Sequence, residues 1–308
     1  MNRREFLCYT SVAASQAALP RALGAASRPA VAFTFDDPAT KDLGPLGWHE
    51  VNERILAALT KHRIKAAIFV CGKRIDSEAG QQLIGAWDRQ AHLIGNHSYS
   101  HLNFGAVTLA EFAADAAKNE ALIHSYRHFA KLFRYPYFKE GDTAAKRDGM
   151  YAFLQERGYR VGRATIDASD WAISARLESR IKNDPKADLS AYRDFFLQHI
   201  WERAQFYDSL SRRVATGPVR HTVLLHHNTL NALFFDDLLA MFSARDWHLI
   251  DAEHAYRDPI YDRQPQILPA GESLIWALAK ESGKFAADLR YPGEDDTYEN
   301  PKMDALGL

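Results

Sequence analysis

The sequence predicts an α/β fold around a parallel sheet, on three observations. Short β-rich runs alternate with helical patterns along most of the chain, several runs are continuously apolar, and there are seven of them. Continuous apolarity marks strands buried on both faces, as parallel sheets require. Alternation calls for helices crossing between parallel strands, and seven repeats are enough to curl the sheet into a barrel.

In order, the runs are AVAFTF (30–35), KAAIFV (65–70), AHLIGN (91–96), KLFRYPY (131–137), YRVGRATI (159–166), HTVLLHH (221–227) and WHLIDA (247–252). Between them, 48–62, 109–130 and 144–157 carry apolar residues at helical spacing. Two parts fit the alternation poorly. Residues 172–220 are charged and aromatic, with a helix expected over 192–209; the tail after 256 is rich in Pro, Asp and Glu, with a helix expected over 272–284. Neither reads as an independent domain. The expected organisation is a leader over 1–26, one barrel over 27–256 with an insertion near 172–220, and a C-terminal extension over 257–308.

Composition narrows the function. With 308 residues, 47% hydrophobic and 25% charged, the chain can bury one large core. Its 38 basic and 39 acidic side chains leave a formal charge of -1, so no electrostatic argument points to nucleic acid or an anionic membrane, and a neutral substrate is the easier reading. No apolar run reaches the ~18 residues of a transmembrane helix, so no transmembrane segment is expected.

The start, MNRREFLCYTSVAASQAALPRALGAAS, has Arg3 and Arg4, then Phe6 and Leu7, a weakly apolar run, and small residues around Ala25 and Ala26. It resembles a twin-arginine export signal; an amphipathic N-terminal arm is the other reading. Cleavage near Ala26 would place the mature protein in the periplasm or outside the cell. It would also leave Cys71 as its one cysteine, so no intramolecular disulfide is expected. Cys71 reads as a small buried residue at a strand end.

In barrels of this kind chemistry gathers at the C-terminal ends of strands, which singles out the polar residues there. The first strand runs into TFDDP, where Asp36 and Asp37 would project to opposite sides. Pro38 is expected to hold Asp37 extended. One acid could bind a metal while the other stays free as a base, although a solvated, helix-capping turn fits the same residues. The third strand runs into His97 and His101. Along a strand they would lie ~13 Å apart, whereas on a helical turn they are neighbours. A shared metal therefore needs HSYSH to turn helically, and Asn96 and Ser98 suit the start of such a turn; a polar surface turn is the alternative. A carboxylate such as Asp37 would complete a two-His, one-carboxylate set with open positions.

The remaining strand ends add partners. In FRYPYF, Arg134 could fork a carboxylate, while Pro136 stiffens the chain so that the Tyr137 amide points consistently. In DASDW, Asp170 could orient and charge a histidine and Trp171 could wall the site, and in VLLHHN either His226 or His227 could donate a proton. Each stretch has an ordinary structural reading, from core strand to Asx turn. Five strand ends of this kind argue for one site.

These residues, in this order, resemble the polysaccharide deacetylases with NodB homology, carbohydrate esterase family 4. The family's motifs TFDD, H(S/T)xxH, RxPY, DxxDW and LxH stand here at 34–37, 97–101, 134–137, 167–171 and 224–226. The resemblance implies a distorted (β/α)7 barrel, of the type shared by glycoside hydrolases and deacetylases, that binds a divalent metal, usually zinc. It implies Asp37, His97 and His101 as ligands, Asp36 as general base and Arg134 as its positioner. It also implies the Tyr137 amide as an oxyanion donor and Asp170 tuning His226 as general acid. The implied partner is an acetylated glycan, deacetylated at nitrogen rather than oxygen.

There are departures from the pattern. Pro38 stands where glycine is common, HHN replaces histidine-aspartate, and Leu225 with His227 also satisfies LxH. Two other functions fit less well. An amidase of the same superfamily acting on a non-carbohydrate C–N bond, in its metal-free form, is opposed by the complete Asp-His-His set. An inactive glycan-binding homologue is opposed by the joint presence of base, acid and ligands.

Overall fold

Parallel pairing runs through the whole main sheet, and that sheet is curled. The computed structural model describes residues 28–41, 44–287, 289, 296–297 and 299–308, so the expected leader lies outside the described residues. In chain order the elements are β1 (Ala30–Asp36), α1 (Trp48–His62), β2 (Ala67–Val70), α2 (Gly72–Ile75), α3 (Glu78–Arg89), β3 (Leu93–Asn96), α4 (Leu109–Ile123), β4 (Phe129–Phe133), β5 (Lys139–Gly141) and α5 (Ala144–Glu156). Then follow β6 (Arg160–Val161), α6 (Asp170–Asn183), α7 (Ser190–Val214), β7 (Arg220–His226), α8 (Thr229–Ala244), β8 (His248–Leu249), α9 (Ala252–Tyr256), β9 (Ala270–Gly271), α10 (Leu274–Glu281) and α11 (Glu299–Leu306).

The strand order is β6-β4-β3-β2-β1-β7, with β8 paired to the start of β1. Beyond β6 the chain crosses to the other edge, where Ile166 bridges Val223. There the Ile166 amide donates to the Thr222 carbonyl and the Leu224 amide to the Ile166 carbonyl, each at 3.0 Å. The 160–166 stretch therefore touches both edges, and the expected distorted α/β barrel is what forms.

Alternation along β1 decides which residues face the barrel interior. Phe33 and Phe35 point outward and meet the Phe235 ring of α8 edge-on at 5.3 and 5.1 Å. Thr34 and Asp36 consequently point inward, and Asp36 sits at the strand's C-terminal end.

Several boundaries differ from the sequence reading. The expected strand 131–137 ends at Phe133, because Tyr137 and Phe138 take left-handed backbone (φ 56° and 53°) after Pro136. The expected strand 159–166 is split: a Cβ on Gly162 would lie 2.6 Å from the Phe69 ring, and the Gly162 carbonyl is taken by Arg134. The helix expected over 109–130 stops at Ile123.

The insertion proves to be α6 and α7, and α7 is longer than the 192–209 expected. Its stripe of Phe196, Ile200, Ala204, Tyr207 and Leu210 is buried in the barrel's own core cluster. The tail likewise holds a second, unforeseen helix, α11, whose Met303 joins that core. Among the described residues, no helix is long and apolar enough to cross a membrane.

Candidate active site

Donor atoms of Asp37, His97 and His101 lie within 4.8 Å of one another. The chain achieves this differently from the helical turn expected. Residues 97–101 form a bend in which Ser98 and His101 are left-handed (φ 60° and 55°). Asp115 Oδ2 accepts from the Tyr99 and Ser100 amides, each at 2.9 Å, and Asn96 Oδ1 accepts from the Ser98 amide at 2.9 Å. The Ser98 and Tyr99 carbonyls accept from the Gly72 and Lys73 amides at 3.2 and 2.7 Å. This pinned loop brings the imidazoles to 5.0 Å between centroids.

Asp37 also departs from expectation, with φ at 58° rather than extended. Aspartate tolerates this region better than most residues, and leaving the strand direction there brings its carboxylate to His101. Its Oδ2 is 3.3 Å from His101 Nε2 and 3.4 Å from an Arg74 nitrogen. Oδ1 is buried and has no hydrogen-bond partner among the described residues. Burial works against the Asp37 carboxylate, but the His101 hydrogen bond and nearby cationic groups, Arg74 among them, hold it well below the usual range.

His97 Nδ1 lies 2.8 Å from the Arg134 carbonyl, which can only accept, so Nδ1 carries the proton. The lone pair therefore falls on Nε2, which faces the carboxylates. Burial pushes the imidazole down to about 4 despite Asp36 and Asp37, keeping it neutral and able to ligate. An orphaned carboxylate oxygen beside the His97 lone pair and the His101 imidazole fits a divalent cation of the zinc kind.

Asp36 is paired instead to Arg134, whose Nη1 donates to Oδ1 at 2.7 Å. The same guanidinium donates to Thr34 Oγ1 at 2.9 Å, to the Gly162 carbonyl at 2.8 Å and to the Tyr256 hydroxyl at 3.0 Å. It also stacks over Phe69 at 3.9 Å. Each edge of the fork is occupied, so the Asp36 carboxylate has one orientation.

Asp36 and His226 are register partners on β1 and β7. His226 Nδ1 is 2.7 Å from Asp170 Oδ1, and Asp170 Oδ2 accepts from the His226 amide, Asn228 and Asn231 at 2.9, 2.9 and 2.7 Å. Burial disfavours the imidazolium, but Asp170, joined by Asp36 and Asp37, lifts the ring to about 9. His227 also lines the cavity but makes no such pair: both ring nitrogens are buried without a hydrogen-bond partner among the described residues, and burial lowers it to about 4. Tyr137, half exposed, stands edge-on to His101 at 4.5 Å.

Asp36, Asp37, Arg74, His97, His101 and His226 line a cavity of about 980 Å³, walled by Tyr137 and Trp171 and by Ser174 and Glu178 of α6, which lie on one helical stripe with Trp171; Arg134 and Asp170 stand behind that lining. Three residues escaped the sequence reading. Arg74 sits in a short helix directly after β2, where the same strand-end rule would have found it. Asn231 lies one turn into α8, and Tyr256 is 122 positions from the arginine it meets, with no local signal.

Fold and site together define an α/β barrel with a candidate metal-assisted hydrolytic centre. Residues 24–153 match the polysaccharide deacetylase family model. It is 28% identical over 142 residues to a peptidoglycan-N-acetylglucosamine deacetylase of Bacillus cereus, covering 46% of each chain. The chain thus spans about half the length of the curated relatives it matches. Among solved structures it resembles the polysaccharide deacetylase Bc1974 from Bacillus cereus (TM-score 0.53, 21% identity, 73% of this chain and 92% of that one). It also resembles BA3943 from Bacillus anthracis, described as a carbohydrate esterase family 4 pseudoenzyme (TM-score 0.53, 17% identity, 74% and 66%). These likenesses bear out the fold.

Proposed function

We propose that the protein is an exported, metal-dependent deacetylase that hydrolyses N-acetyl groups on a glycan. The observation that carries this is the convergence of Asp37, His97 and His101 within 4.8 Å, beside an Asp36 that is fixed by Arg134 and left out of the donor set. The exposed faces of Tyr137 and Trp171 at the cavity suit an amphipathic sugar ring.

Asp37, His97 and His101 would hold the metal, which when bound lowers the pKa of water from 15.7 towards ~7 and polarises an acyl oxygen. Asp36 takes a proton from the attacking water as its oxygen bonds to the acyl carbon. Arg134 keeps that carboxylate aimed, and the Tyr137 amide donates to the developing oxyanion. His226, protonated and braced by Asp170, gives its proton to the leaving nitrogen as the C–N bond breaks. Acetate and a free amine result.

A pseudoenzyme reading is disfavoured because base, acid and donor set stand together. Acetate release across a panel of N- and O-acetylated glycans and simple amides, with and without chelator, tests the proposal. Chelator-sensitive release from an N-acetylated glycan supports it. Release from non-carbohydrate amides alone, chelator-resistant turnover, or no release from any substrate by metal-loaded protein overturns it. Export is tested separately: Arg3→Lys with Arg4→Lys should abolish appearance of the protein outside the cytoplasm, and unchanged yield there would remove the twin-arginine route.

A further inference from the structure

The turn that presents Asp170 is conformationally costly. Ser169, directly before it, is left-handed (φ 46°, ψ 34°) without being glycine. Such backbone at a functional site persists only where its surroundings over-determine it. Here the preceding residue, Ala168, is held at both its amide and its carbonyl. The Ala168 amide donates to Asp167 Oδ1 at 2.8 Å, and His199 Nε2 lies 2.8 Å from the Ala168 carbonyl, to which it must donate.

His199 belongs to α7, and a second element holds it. The same Nε2–H is shared with Glu299 Oε1, 3.1 Å away at the start of α11, and Arg203 Nη2 reaches that oxygen at 3.3 Å. His199 and Arg203 are four apart on one helix, so both face the carboxylate. His199 is 3% exposed, Arg203 and Glu299 0%. Beyond the turn, Asp170 meets His226 at 2.7 Å.

We propose that His199, braced by Glu299, is a positioning residue for the acid end of the site: it locks the Ala168–Ser169 peptide and thereby aims Asp170 at His226. This rests on His226 being the proton donor proposed above. It gives a role to the two stretches that the sequence reading left without one, α7 in the insertion and α11 in the tail. Both lie outside the family match over residues 24–153.

The test uses the full-length, metal-loaded protein and reads kcat, KM, bound metal and the pH profile of acetate release. His199→Phe keeps the ring volume and the stacking on Phe195 (6.0 Å, 6° between planes) but loses the donor; His199→Gln restores a donor. His199→Phe should lower kcat about 10- to 100-fold, the range known for outer-shell partners that orient metal-ligating histidines. KM and metal content should stay unchanged, the alkaline limb should move to lower pH, and His199→Gln should recover much of the rate.

Wild-type kcat in His199→Phe overturns the proposal. So does a loss that the Gln variant fails to rescue while metal and KM degrade with it, since that marks a purely structural role. If His199→Phe does not fold, Glu299→Gln is read by the same criteria, with unchanged kcat and pH profile counting against the idea. His226→Ala is run alongside: if it keeps full activity, the proton-donor assignment fails rather than the positioning one.

Discussion

Arg134 Nη1 stands 2.7 Å from Asp36 Oδ1, and the two residues are 1% and 3% exposed. Removing one member of such a pair strands the other's charge in a low-dielectric interior. Arg134→Met should therefore destabilise the fold by ~3–5 kcal/mol in urea unfolding, whereas a surface arginine change would cost under ~0.5 kcal/mol. Arg134→Lys should rescue only part of this, since an ammonium cannot reproduce a fork that bonds Thr34, Asp36, Gly162 and Tyr256 at once. Wild-type stability in Arg134→Met would contradict the pairing.

Asp36 lies outside the donor set, so Asp36→Asn should keep its metal and lose ~10²- to 10⁴-fold in kcat, the range for a general base. Elemental analysis and single-turnover acetate release measure the two halves. Turnover close to wild type would remove Asp36 from that role.

His97 and His101 supply two of the three candidate ligands. His97→Ala or His101→Ala should bring bound zinc far below one equivalent, while the fold persists because the loop is pinned by Asp115 and Asn96. Full metal content in either variant would defeat the assignment.

The pH dependence follows from the raised pKa of His226. An acid that must be protonated works below its folded pKa, so kcat/KM should hold through neutral pH and fall as pH passes about 9. The pairing with Asp170 stabilises the fold with the same sign: it is fully present below the ordinary histidine value of 6.5 and is lost as pH rises through about 9. Asp170→Asn removes the counter-charge and should shift the alkaline limb of the rate profile downward. An unmoved limb would show that another group titrates there.

The two candidate histidines can be separated directly. His226→Phe should abolish most turnover. His227→Phe should leave activity near wild type and be neutral or stabilising, because it removes buried polar atoms that have no partner among the described residues. The reverse pattern would move the proton donor to His227.

Much of this was legible in the sequence for physical reasons. Burial on both faces forces apolar runs such as AVAFTF, and their alternation with helical periodicity implies a parallel barrel. Chemistry at strand ends then pointed to Asp36, Asp37, His97, His101, Arg134, Asp170 and His226, which all line or support one cavity. The loop conformations were not legible. HSYSH suggested a helix and Pro38 an extended Asp37, yet left-handed residues bend both segments; in HSYSH, hydrogen bonds to Asp115, Asn96 and the α2 amides outweigh local preference.

By itself, the sequence determined the order of strands and helices and the kinds of side chain at each strand end, since both depend on local pattern. Only the tertiary structure decided pairing. It turned His226 rather than its neighbour towards Asp170, gave Arg134 to Asp36 across 98 positions, and brought Glu299 to Arg203 across 96. Contacts at such separations leave no periodic trace in the chain. They exist because closing the barrel and burying α7 and α11 in its core place those groups together where water cannot satisfy them.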